Sequence, residues 1–282
     1  MTMPHTRPFV QVDVFSTSPY SGNPVAVVLD GTDLSDEEMQ RVARWTNLSE
    51  TTFLLPPTVP EADYRVRIFT PGGELPFAGH PTLGSARAWL DGGGTPRDDG
   101  RIVQECAVGL VAVRRGERAL AFAAPPRVRE GALDEDQLRW IVGAFGITRD
   151  RVVAHQWVDN GPGWAVVQLA TAEEVLALEP DFSLAPTAMV GAIGAYGDGS
   201  RHAFELRTFA PGAGVPEDPA CGSMNAAVGQ WLTSTGGAPS SYRVSQGTRL
   251  GRAASIEITA DPDGTVWVSG AADVCIRGVI TL

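Results

Sequence analysis

Apolar and polar positions alternate from the beginning of the chain. Val10, Val12 and Val14 stand against Gln11 and Asp13 between Phe9 and Phe15, and a β-branched run from Pro24 to Leu29 follows the turn residues Ser21, Gly22 and Asn23. A period of two, followed by a β-branched run behind a turn, predicts paired strands. The period then lengthens. Ser35-Asp36-Glu37-Glu38 has the spacing of a capping box, and Leu34, Met39, Val42 and Ala43 give the next segment one apolar face, so a helix is predicted to end near Trp45. Strands are predicted from Thr51 to Leu55 and from Tyr64 to Phe69, then a helix from Pro81 to Leu90 with the proline in its first turn. Asp91 to Gly100 reads as an exposed loop, and three short strands close this part near Ala123.

Pro125, Pro126 and the polar residues to Glu130 form the best linker candidate. The pattern beyond it repeats the plan. An amphipathic helix is predicted from Leu133 to Phe145, strands over Val152 to Val158, Trp164 to Leu169 and Phe204 to Phe209, and a short helix over Ala172 to Leu178. A second glycine-capped helix is predicted over Gly222 to Thr233, with further strands from Tyr242 onward.

The likeness between the two parts is also literal. Phe69 to Leu90 reads FTPGGELPFAGHPTLGSARAWL and Phe209 to Leu232 reads FAPGAGVPEDPACGSMNAAVGQWL, each a strand end, a Pro/Gly turn, a glycine-containing cap and a helix. After each copy comes a second echo, QECAVGLVAV from Gln104 and QGTRLGRAAS from Gln246, with the Gln and Gly in matching places. An α+β fold is predicted, with residues 1–124 and 131–282 as related halves and the last strand free to return to the first. Many strands and one long helix per half suggest a curved sheet wrapped around a central helix. Halves of this kind are expected to set two helix N-termini face to face, and such termini concentrate N–H groups suited to a carboxylate.

Composition narrows the chemistry. With 282 residues and 43% apolar content the chain can bury one large core or two ordinary ones. A net charge of −11 argues against nucleic acid or an anionic membrane as partner, because phosphate binding rests on Lys and Arg. No apolar run is long enough for a bilayer and nothing resembles a signal peptide, so a cytoplasmic location is expected. Cys106, Cys221 and Cys275 lack the spacing of a disulfide framework or zinc site. All 22 basic residues are arginine, so a pyridoxal phosphate Schiff base, a P-loop lysine and an amine base are excluded. GxGxxG after a strand, GxSxG and HExxH are missing too. No metal site is expected, and carboxylates, His and Cys must do any chemistry.

Four segments offer such groups. Glu50 is the one acid in NLSETTFLLP; beside apolar neighbours its pKa can rise toward neutrality, although the segment alone favours a solvated loop glutamate. His80 follows Ala78-Gly79 at the mouth of the first repeated helix, where the dipole favours a neutral imidazole able to orient substrate, or where it merely caps. In EDPACGS, Gly222 and Ser223 supply N–H groups and Asp218 an acceptor for an amine or hydroxyl, against the plain reading that Asp or Ser caps the helix. Cys221 is a thiol acid/base or a small buried residue. Asn23 in SGNPVAVV could hydrogen-bond a ligand, and a Gly-Asn-Pro turn equally explains it.

Taken in order, SGNPVAVVL, NLSETTFLL, FAGHPTLGSA and EDPACGS resemble the motifs of the PhzF family of phenazine biosynthesis, within the diaminopimelate epimerase-like superfamily. The resemblance spans nearly the whole chain. It implies two pseudo-symmetric domains, each a curved, mostly antiparallel sheet around a central helix, with the active site in the cleft between them, and a cofactor-independent isomerase that is a homodimer. By position, Glu50 resembles the family's acid/base, His80 and Asp218 the polar residues that fix and polarise substrate, and Gly79, Gly222 and Ser223 its backbone anion contacts. The two opposed thiols of the epimerase relatives belong at Ala78 and Cys221, and only the second is a thiol here, which favours a single-carboxylate shuttle.

The activity expected is movement of a proton and double bond on a small unsaturated amino or hydroxy carboxylic acid. The alternatives are an amino-acid racemase using Cys221 and Glu50 as opposite bases, and a non-catalytic small-molecule or protein-binding module on the same fold.

Overall fold

The computed structural model describes residues 5–116 and 119–282. The chain forms two compact units, Met1–Ala123 with Ser269–Leu282, and Ala124–Val268. In chain order the first contains β1 (Thr6–Val14), β2 (Asn23–Val28), α1 (Asp36–Thr46), β3 (Glu50–Leu55), β4 (Tyr64–Phe69), β5 (Glu74–Leu75), α2 (Gly79–Asp91), β6 (Arg101–Cys106), β7 (Gly109–Arg115) and β8 (Ala119–Ala123). The second contains β9 (Arg129–Gly131), α3 (Glu135–Phe145), β10 (Ala154–Asp159), β11 (Ala165–Thr171), α4 (Ala172–Leu176), β12 (Val190–Ala195), β13 (Phe204–Ala210), β14 (Val215–Asp218), α5 (Gly222–Thr235), β15 (Ser241–Gln246) and β16 (Ala254–Ala260). A long last strand, β17 (Val266–Thr281), begins in the second unit's sequence and ends in the first.

In the first unit β1 is antiparallel to β2 and to the later part of β17. β2 is parallel to β3, β3 antiparallel to β4, and β4 parallel to β6, which opens the β6–β7–β8 meander. Buried against β1, β2 and β3 lies α2, apolar or small on nearly every face, as a core helix must be. Its close approach depends on Gly84: a Cβ there would lie 2.2 Å from Val25 Cγ1. The capping box forms at Ser35 and Glu38, and the predicted face of α1 packs Met39, Val42 and Ala43 with Val28, Phe53 and Phe69.

The second unit follows the same scheme. β10 is antiparallel to β11, β11 parallel to β12, β12 antiparallel to β13, β13 parallel to β15 and β15 antiparallel to β16. Here α5 is the buried helix, and α3 adds Leu138, Ile141 and Phe145 to a core with Val167, Leu169 and Phe209. Three local departures from the sequence pattern have physical causes. The linker candidate contains β9, because Arg129–Gly131 pairs with the end of β10 and the Arg129 guanidinium sits 3.5 Å from the centre of the Trp157 ring. The glycine- and alanine-rich β12 lacks a strand-like pattern and is held by neighbours on both sides. The helix α4 stops at Leu176, and the carbonyls of Val175 and Leu178 accept from Arg207 Nη1 at 3.2 and 2.7 Å.

Candidate functional site

In the first unit three predicted residues meet at the N-terminus of α2. Glu50 opens β3 directly after α1, whose end at Asn47 adopts a left-handed turn (φ 53°). The parallel register sets Glu50 beside Val25, two residues beyond Asn23. Far from being a solvated loop residue, Glu50 is 9% exposed. His80, the second residue of α2, points its ring between the two: Nδ1 lies 3.2 Å from Asn23 Nδ2 and Nε2 lies 3.2 Å from Glu50 Oε2. The capping alternative for His80 fails, since Ala78 is the N-cap residue and no side chain caps this helix. Burial lowers the His80 pKa to about 3, opposed only by a hydrogen bond with the Pro24 carbonyl, so the ring is neutral at ordinary pH. A neutral imidazole has one N–H donor and one acceptor nitrogen; with the Asn23 amide N–H on Nδ1, the ring's own N–H is at Nε2, facing the Glu50 carboxyl.

Asn23 has more than a turn's purpose, being fully buried on His80. A residue without a sequence signal sets it there: the buried Asp13 carboxylate, at the end of β1, accepts the Gly22 N–H at 3.0 and 3.2 Å.

The second unit gathers Asp218, Cys221, Gly222 and Ser223 at the N-terminus of α5. Asp218 ends β14, and its Oδ1 accepts the Ala220 N–H at 3.0 Å, so the carboxylate shapes its own turn rather than capping the helix. Cys221 is the N-cap residue without a side-chain cap bond, is 5% exposed, and has its Sγ 3.4 Å from Ser223 Oγ. Two residues that the sequence did not single out fix Ser223. Trp164 Nε1 donates to Ser223 Oγ at 3.0 Å, and Asn160 Nδ2 donates to the Ser223 carbonyl at 2.9 Å. Asp159 builds the turn that delivers both, its Oδ1 accepting from the Gly161 and Gly163 N–H groups at 2.8 and 2.6 Å. This is the arrangement of Asp13, Gly22 and Asn23 again, with a side-chain N–H directed at the second residue of the buried helix.

The five α-helices of the described residues divide by how they start. α1, α3 and α4 have side-chain caps from Ser35, Asp134 and Thr171 and acidic residues in their first turns. α2 and α5 have neither. Leaving the first-turn N–H groups without a side-chain acceptor keeps their positive potential for an outside anion, and Gly79, Gly222 and Ser223 supply those groups. Among the described residues no three His, Cys, Asp or Glu side chains gather as a metal-binding group, and no helix is long and apolar enough to cross a membrane.

A duplicated frame of this kind invites comparison with known proteins. The model of the family PhzC-PhzF, described as phenazine biosynthesis-like protein, matches residues 12–278. The chain belongs to this family. One relative, trans-2,3-dihydro-3-hydroxyanthranilate isomerase of Pseudomonas chlororaphis, is 36% identical over 284 residues, covering 97% of this chain and 99% of the relative. Another, antisense-enhancing sequence 1 of Schizosaccharomyces pombe, is 41% identical over 288 residues, covering 96% of this chain and 97% of the relative. The crystal structure of a phenazine biosynthesis protein of the PhzF family from Enterococcus faecalis matches with a TM-score of 0.82 at 24% identity, over 99% of this chain and 100% of that one. The α+β fold and the family expected from the four motifs are those found.

Proposed function

We propose that this protein is a cofactor-independent isomerase that moves a proton and a double bond on a small unsaturated amino or hydroxy carboxylic acid. The observation that carries the proposal is the buried row of Asn23, His80 and Glu50, a carboxyl group beside an imidazole held neutral. Glu50 takes a proton from a carbon activated by the adjacent unsaturated system, and the C–H electron pair enters that system as the double bond shifts. The same carboxyl then returns the proton to another carbon, so no atom or electron is gained or lost. With Asn23 Nδ2 donating to Nδ1, His80 carries its proton on Nε2, which faces the Glu50 carboxylate. At the start of α5, Asp218 suits an amine or hydroxyl and the N–H groups of Gly222 and Ser223 suit an anion; at the start of α2 the Gly79 N–H suits an anion too, charge stabilisation of the preorganised kind. Ala78 brings no thiol to oppose Cys221, which favours one carboxylate over a two-thiol racemase.

The isomerase relative provides the first substrate to try, trans-2,3-dihydro-3-hydroxyanthranilate. General acid/base catalysis contributes ~10²–10⁴-fold, and Glu50→Gln is expected to lose that much in kcat. Conversion at the wild-type rate by Glu50→Gln would remove Glu50 from the mechanism. Inversion at Cα of an amino acid, abolished by Cys221→Ser, would replace the proposal by the racemase.

A further inference from the structure

The side chain of Gln246 is completely buried, and each of its polar atoms makes two hydrogen bonds. Its Oε1 accepts from the Cys221 N–H at 3.2 Å and from Asn225 Nδ2 at 2.8 Å. Its Nε2 donates to the Asp218 carbonyl at 2.9 Å and to Thr208 Oγ1 at 3.2 Å. An amide has two donor hydrogens and two acceptor positions, so the group is saturated. The partners form a pattern: the Asp218 carbonyl and the Cys221 N–H are the two ends of the turn before α5, Asn225 belongs to the helix and Thr208 to β13. One side chain thus bolts the turn to both the helix and the sheet behind it.

Two neighbours close off other positions for that turn. Arg207 grips Glu217, the residue before Asp218, with Nε and Nη2 on the two carboxylate oxygens at 2.9 and 2.8 Å. Gly247, at φ 87°, lets the backbone pass behind the turn, since a Cβ there would come 2.6 Å from the Pro219 carbonyl.

The first unit has the same buried glutamine in a different use. Gln104 accepts from the Tyr64 hydroxyl at 3.0 Å and donates to Thr82 Oγ1 at 3.0 Å. Those bonds tie a strand to α2 and leave out the residues before the helix.

We infer that Gln246 is a positioning residue that holds the turn from Asp218 to Gly222 in its substrate-receiving geometry. It touches no substrate itself; it fixes the Asp218 carboxylate through that residue's own backbone and aims the first N–H groups of α5. The inference rests on the proposed function for what the turn receives, while the geometry of the turn can be tested without any substrate.

The test follows backbone amide hydrogen exchange in peptides covering residues 217–225 of the whole protein, with circular dichroism to verify folding. In Gln246→Leu this exchange is expected to quicken at least tenfold. Gln246→Glu preserves size and both acceptor bonds but loses the donors to the Asp218 carbonyl and Thr208, and is expected to fall between. Gln104→Leu, which loses an equally buried amide, is expected to leave exchange in 217–225 unchanged. With trans-2,3-dihydro-3-hydroxyanthranilate, kcat/KM of Gln246→Leu is expected to drop at least tenfold, with the rise in KM exceeding the fall in kcat. Wild-type exchange in 217–225 of a folded Gln246→Leu or Gln246→Glu protein overturns the inference, as does equal loosening by Gln104→Leu. A wild-type protein inert toward trans-2,3-dihydro-3-hydroxyanthranilate, with the exchange pattern as expected, removes that compound as substrate and leaves the role of Gln246 in the turn supported.

Discussion

The N-termini of α2 and α5 are the same construction with different fittings. In both, an aspartate at the end of a strand (Asp13, Asp159) accepts N–H groups of the next turn, and a donor beyond it (Asn23, Trp164) meets the second helix residue (His80, Ser223). In both, the helix lacks a side-chain cap and a buried glutamine from a later strand holds it. The difference lies in the side chains that each frame holds. The first has a neutral His80 beside Glu50, a proton-handling pair; the second has Ser223, Cys221 and Asp218, a set of hydrogen-bonding groups. Duplication has preserved the backbone that offers N–H groups and changed the side chains around it.

That division can be broken most sharply by catalysis. Glu50→Gln is expected to lower turnover by ~10²–10⁴-fold with little change in KM, whereas Asp218→Asn is expected to act mainly on KM. Steady-state kinetics of the pair decide it, and an equal loss of kcat in both variants would erase the distinction.

A second contrast concerns stability. Arg67 and Arg207 each grip a glutamate with two hydrogen bonds and lie 5.1 and 5.0 Å from a phenylalanine ring, Phe69 and Phe209. Side-chain exposure separates them: 5% and 12% for Arg207 and Glu217, against 17% and 37% for Arg67 and Glu74. Breaking a buried pair leaves an uncompensated charge, so Arg207→Met is expected to cost ~3–5 kcal/mol, and Arg67→Met only ~1 kcal/mol. Urea unfolding of both variants checks the order.

His80 adds a pH dependence that Ser223 cannot. With the His80 pKa lowered from 6.5 to about 3 by burial, the unfolded chain takes up a proton below pH 6.5 while the folded chain does not. Its contribution to stability is therefore complete above pH 6.5 and is lost as pH falls toward 3, with a slope approaching about 1.4 kcal/mol per pH unit. Urea midpoints measured from pH 7 to pH 4 are expected to fall less steeply in His80→Gln than in wild type. The smallest effect belongs to Trp164→Phe, which removes one hydrogen bond to Ser223 Oγ. A net bond is worth ~1 kcal/mol, so KM is expected to rise about fivefold with kcat unchanged.

Local features of the fold were legible in the sequence. The capping box at Ser35, the apolar face of α1 and the two repeated helices, whose first residues are Gly79 and Gly222, follow rules that act within a few residues, and all are present. The duplication was legible because it is literal. Glu50, His80 and the EDPACGS turn stood out for the same reason, as chemistry-bearing residues inside recognisable segments. What stayed hidden depends on distant partners. β12 is a strand because β11 and β13 flank it, not because VGAIGA has a strand-like pattern. Trp164 reaches Ser223 across 59 positions and Gln246 reaches Cys221 across 25, separations on which periodicity is silent. For Gln246 one signal did exist: it echoes Gln104, and a polar residue retained in both copies of a repeat and placed in a strand is a candidate clamp.

The measurement that bears most directly on the central claim is NMR of wild type and Glu50→Gln in D₂O with trans-2,3-dihydro-3-hydroxyanthranilate. Deuterium on a carbon of a product whose double bond has moved, absent with Glu50→Gln, is the result expected of a single-carboxylate isomerase. Migration of the double bond in the Glu50→Gln protein at the wild-type rate and with the same labelling would contradict it.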